Sequence, residues 1–159
     1  MLAGTGPGGV PDQPRPPEKT WQVAPNPVLE DEGYLYLFFP ETEAARAAGL
    51  ASLRRLDYRL DRSHAEVLPS RVKAQITAIQ GNKGLWDRVP ELEHPVLVAK
   101  VAHDVLIHAY ASYAMSQRLP NGKIILYSDA GHGFLFQHYR DFARDVAEFL
   151  RHEQYAAVE

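Results

Sequence analysis

Two short apolar blocks in the second half of the chain, separated by a stretch with helical spacing, set the expected architecture. After Pro95, the run Val96, Leu97, Val98, Ala99 is unbroken, and residues 123–127 bring Ile124, Ile125 and Leu126 together before Tyr127. The first block, short, β-branched and preceded by proline, reads as a strand buried on both faces of a parallel sheet, and the second, rich in isoleucine, as a second strand of that sheet. Between them, 109–118 reads as a helix stopped by Pro120, Asn121 and Gly122. A closing helix is expected over 139–151. There Phe142, Val146, Phe149 and Leu150 fall on one stripe, with Arg140, Asp141, Arg144, Asp145 and Glu148 around the rest, as suits a helix lying on a sheet. Two parallel strands joined by a crossover helix return both following loops to one carboxyl edge, where open α/β sheets bind ligands. The first loop carries Asp104 and the second His132, so this order predicts a carboxylate and an imidazole at one rim.

The first half has a different texture. A dense aromatic and aliphatic run at 34–39 is halted by Pro40, and Thr42 is placed to cap a helix reaching Leu60. Leu50, Leu53 and Leu56 recur at helical spacing while Arg54, Arg55 and Arg59 face elsewhere. A second helix is expected from Ser70 through Val72, Ile76 and Ile79 to about Gln80, before Gly81 and Gly84. Arg54, Arg55, Arg59, Arg62 and His64 read as a solvated face rather than an anion site. The aromatic residues Tyr34, Tyr36, Phe38, Phe39 and Trp86 suit a pocket lining and a core equally. Residues 1–33 are rich in proline and glycine with little periodicity, and on their own read as a flexible leader. Residues 153–159 read as a frayed tail.

His132 lies between Gly131 and Gly133, and the glycines are expected to allow tight backbone turns that a β-carbon would obstruct. An imidazole so presented acts as a general base when a carboxylate fixes its tautomer, and Asp104 is the candidate carboxylate. Asp129 is nearer in sequence but reads as a turn-forming aspartate. His103 and His108 flank Asp104 and raise the question of a metal site with His132. Their spacing matches none of the usual zinc patterns, so neither a metal nor a cofactor is expected. No G-x-S-x-G nucleophile turn occurs: the serines at 52, 63, 70, 112, 116 and 128 lie in helices or ordinary loops without bracketing glycines. The phosphate-cradling G-x-x-x-x-G-K pattern is also absent.

Asp104 after a short strand, then a helix, a second strand and the loop Asp129, Ala130, Gly131, His132, Gly133 running into Phe134, Leu135 and Phe136, resemble the acid and histidine ends of an α/β-hydrolase. In that family the triad follows the chain order nucleophile, acid, histidine. The resemblance implies an α/β protein carrying part of that fold: C-terminal parallel strands with crossover helices over 91–152, preceded by a helical lid-like segment over 34–90. Residues 2–9 resemble the strand end that follows the nucleophile helix, which offers a sheet-strand stub at 1–9 as a second reading of the leader. His132 would be the base and Asp104 its orienter, acting on ester, amide or similar carbonyl substrates. The nucleophile-bearing half is absent from this sequence, so activity would need another chain to supply it. The alternative is a non-catalytic remnant or protein-interaction module. Within the matched stretch, Val101 and Ala102 stand where the family usually has glycine and an acidic or small polar residue. His108 stands where proline commonly follows the acid. A sheet lacking its other half would expose unpaired backbone groups at one edge, so self-association or a complementary subunit is expected.

Composition narrows the partners. With 159 residues, 45% hydrophobic and 23% charged, the chain has material for one core. A net charge of -3 gives no electrostatic case for nucleic acid or an anionic membrane. No apolar run approaches the roughly 20 residues of a membrane helix, and cysteine is absent. The expected setting is therefore the cytoplasm.

Overall fold

The computed structural model describes residues 2–3, 8–26, 29–60, 68–81 and 83–153. The sheet has three parallel strands in the order β1 (Leu2–Ala3), β2 (Val96–Val101) and β3 (Gly122–Tyr127), so β2 is central. Leu2 is in register with Leu97, and Val96 to Val101 pair residue by residue with Gly122 to Tyr127. The pairing continues past the strand ends. Val96 N–H donates to Asn121 at the entry, and Ala102 N–H donates to Tyr127 at the exit. His103 N–H then donates to the Ala130 carbonyl at 3.1 Å, which fastens the two following loops to each other.

The β2 strand is buried at all six positions and runs two residues beyond the apolar block, through Lys100 and Val101. The β3 strand is far less covered: Ile124 is 38% and Leu126 54% exposed. Among the described residues it pairs with β2 alone and lies at the margin of the sheet.

Helix α5 (Ala109–Ser116) makes the crossover between β2 and β3. Its Met115, with Leu119 just beyond, packs on Val96, Val98 and Val89. Val89 belongs to a short 3-10 helix, Trp86–Glu91. The helix pair α6 (Phe134–Gln137) and α7 (Tyr139–Glu153) follows β3. Phe134 meets Phe142 edge to face at 5.3 Å, and the Tyr127 hydroxyl donates to Asp145 Oδ2 at 2.7 Å. Phe149 is buried, but Leu150, expected on the same stripe, is 54% exposed.

A second small core lies among the N-terminal helices. Helix α2 (Asp31–Phe38) contains most of the aromatic run, and α3 (Glu43–Leu60) starts where Thr42 was expected to cap it, with Ala45 N–H donating to Thr42 Oγ1. Leu35, Phe39 and Ala45 are buried together, with Leu50 and Leu53 against them. Helix α4 (Pro69–Gly81) covers the second predicted helix. Arg54 and Arg55 are exposed; Arg62 and His64 lie outside the described residues, as do 154–159 of the tail.

The leader is not a loose segment within its described residues. It contains a helix, α1 (Glu18–Val23), whose first residue follows Pro17. Proline's fixed φ and missing N–H suit a helix start rather than opposing one. Thr20 is buried, and its hydroxyl donates to the Val105 carbonyl at 3.1 Å and lies 3.2 Å from the Tyr36 hydroxyl. At the opening, Leu2–Ala3 pairs in parallel with β2, while residues 1 and 4–7 lie outside the described residues. No helix among the described residues is long and apolar enough to cross a membrane.

Candidate active site

Asp104 sits at the end of β2 because the strand delivers the chain to the carboxyl rim and a turn follows at once. Its Oδ1 accepts the backbone N–H groups of Leu106 and Ile107, both at 2.9 Å, and so closes the turn on itself. Its Oδ2 accepts the Lys100 ammonium and lies 3.0 Å from His132 Nδ1. Four donors converge on a carboxylate that offers about four lone-pair sites. The two residues predicted to share the rim are thus brought together. The Asp104 side chain is 2% exposed and that of His132 32%, so the acid is enclosed while the imidazole still reaches solvent.

Burial by itself would push the Asp104 carboxyl up. The hydrogen bonds from His132, from Lys100 and from the Ile107 N–H, with the Lys100 charge, overcome it and hold the group down at about 2. Asp104 is therefore a carboxylate throughout the neutral range. It accepts from an Nδ1–H, which fixes the neutral ring as that tautomer and leaves the Nε2 lone pair on the other side of the ring.

The loop of His132 is positioned from α2. Gly133 N–H donates to the Phe38 carbonyl at 2.7 Å, and the Phe38 ring meets the imidazole edge to face at 5.3 Å. Here the structure revises the role expected of the two glycines. Neither has a positive φ. A β-carbon on Gly131 or on Gly133 would instead come within 2.9 Å of the Phe38 carbonyl oxygen, so they are small because α2 passes so close.

The other candidates are occupied elsewhere. Asp129 faces His138, with Oδ1 at 3.0 Å from Nε2, an ion-pair distance without the direction of a good hydrogen bond. His138 in turn stacks on Tyr127. Burial, with the bond to Asp145, pushes the Tyr127 phenol up, so it stays a neutral donor. His108 caps α5, its Nδ1 accepting from Tyr110 N–H at 3.1 Å; this spends the lone pair that a metal would need. His103 contributes its backbone. Among the described residues no three histidine, aspartate or glutamate side chains come together to hold a metal ion. A cleft of about 540 Å³ is bounded by Lys19, Tyr36, Phe39, Thr42 and Arg46, where α1, α2 and the start of α3 meet, and neither Asp104 nor His132 lines it.

Two participants were missed in the sequence. Lys100 was not assigned to the strand, although a lysine within an apolar parallel strand has no route to water and must find a buried partner. Thr20 had no signal, since its tie to Val105 spans 85 residues.

A parallel sheet with an acid after one strand and a histidine after the next, the two in contact, defines the later part of an α/β-hydrolase architecture. Solved structures agree. The chain superposes with a TM-score of 0.74 and 28% identity on an α/β hydrolase fold protein from Chitinophaga pinensis, covering 94% of this chain and 55% of that one. A meta-cleavage product hydrolase from Pseudomonas fluorescens IP01 matches with a TM-score of 0.67 at 12% identity, over 96% of this chain and 55% of its own. An esterase from Thermogutta terrifontis matches at 0.58 and 20% identity, over 87% and 53%. No protein-family model matches the sequence, and no curated protein does. The chain has the α/β-hydrolase fold in part, spanning about half the length of the solved structures it matches.

Proposed function

We propose that the chain is the acid and histidine portion of a serine hydrolase acting on ester, amide or similar carbonyl substrates. His132 is the general base and Asp104 its orienter, and a serine outside this sequence is the nucleophile. The observation that carries the reading is the 3.0 Å contact between His132 Nδ1 and a buried, ionised Asp104, with the imidazole partly open to solvent. In this reaction His132 Nε2 takes the serine proton as the oxygen bonds to the carbonyl carbon. It returns that proton to the leaving alcohol or amine as the carbonyl–heteroatom bond breaks; water then repeats the cycle on the acyl group. Helices α2 to α4 are the lid, and α2 anchors it to the histidine loop through Phe38. The chain works in the cytoplasm, joined to a complementary chain that brings the nucleophile half to the β1 side of the sheet, or by self-association.

The test is p-nitrophenyl ester hydrolysis by the purified chain, alone and with a separately expressed segment carrying G-x-S-x-G encoded upstream. The expected result is burst release only for the pair, abolished by His132→Ala and retained in His103→Ala. Absence of turnover in every pairing would instead assign the chain to a non-catalytic interaction module.

A further inference from the structure

We propose that Lys100 is a positioning residue of this site: a buried ammonium that balances the Asp104 carboxylate, so that Asp104 orients the His132 ring without lending it a full negative charge. Asp104 and Lys100 are each 2% exposed, and the ammonium and the imidazole share one oxygen, Oδ2. Strand alternation puts Lys100 on the face of Val96 and Val98, residues packed on Met115 of α5 and on Leu119 just beyond it. The side chain is thus withdrawn from water, and Asp104 is the acceptor its ammonium meets. An ammonium there is tolerable only with its counterion, and the counterion is the orienting acid itself.

The effect follows from counting charge. A histidine beside an isolated buried carboxylate gains a neutralising partner on protonation. Beside a lysine–carboxylate pair it adds a net positive charge to a site that was already neutral, and takes up its proton less readily. The ring thus stays neutral, and able to act as a base, to lower pH than it would with Asp104 alone. The other groups around it do not supply this balance. Asp129 on its own loop faces His138, the His103 backbone lies on the acid loop, and α2 presents the uncharged Phe38 ring.

The inference rests on the proposed function only for the use made of the base, and its test needs no nucleophile half. The pH at which the His132 ring protonates is followed by NMR in the wild-type chain, in Lys100→Met and in Lys100→Gln, which keeps a donor but no charge. Removing the ammonium is expected to raise the midpoint by about one pH unit or more, a tenfold gain in proton affinity. A folded single variant with a smaller rise overturns the proposal, and a variant that loses stability while its midpoint holds shows a merely structural lysine. Should neither single variant fold, the double variant Lys100→Met with Asp104→Asn removes both charges together. Its midpoint is expected within about half a unit of the wild type, because both sites are neutral; a larger difference overturns the proposal. Failure of ester hydrolysis in every pairing would remove the proposed reaction and leave this titration result standing.

Discussion

The two well-formed strands are equal in length and paired residue for residue, yet β2 is buried throughout while β3 is mostly open. The central strand carries the acid and the edge strand carries the histidine. The ionised, enclosed carboxylate thus follows the most buried strand, and the partly exposed imidazole follows the open one. A strand's position in the sheet, more than its composition, fixes which chemistry its following loop can support.

The sharpest way to break this contrast is Asp104→Asn. It strands the Lys100 ammonium in the β2 core and is expected to cost about 4 kcal/mol in urea unfolding, whereas loss of the exposed Arg144–Asp141 pair in Asp141→Asn changes stability by less than about 0.5 kcal/mol. Next, Leu97→Ala on the buried strand is expected to cost about 3 kcal/mol, and Leu126→Ala on the edge strand under about 1 kcal/mol. Equal costs would show that the edge strand is covered in solution. Gly133→Ala is expected to cost about 2 kcal/mol through the collision with the Phe38 carbonyl, and to shift the NMR signals of the His132 ring. The folded Asp104 carboxyl lies at about 2, below its ordinary 3.8, so the unfolded chain binds the proton more readily. The resulting stability, about 2 kcal/mol, is complete above pH about 4 and fades as pH falls to about 2. Acid titration of the wild type should show that loss, and Asp104→Asn should lack it.

Much of this was legible in the sequence because period and punctuation agree there. The block after Pro95, the break at Pro120 to Gly122 and the cap at Thr42 each mark an element edge by a local steric rule, and crossover topology then puts Asp104 beside His132. Long-range contacts leave no such mark. Lys100 was passed over because the strand was read by its apolar block, although pairing with β3 carries it two residues further. Helix α1 was hidden by prolines that here precede and start it. Gly131 and Gly133 were rightly singled out for the wrong cause: their size answers to a carbonyl on α2, nearly a hundred residues away in sequence. Nor could an alternation pattern reveal that β3 would be left at the margin of the sheet.

The single peptide group of His103 has a consequence out of proportion to its size. Its N–H is the clasp that sets the gap between the acid turn and the histidine turn at the level of Ala130. A proline at that position would remove this bond without touching either side chain, leaving the histidine turn to its attachment on Phe38.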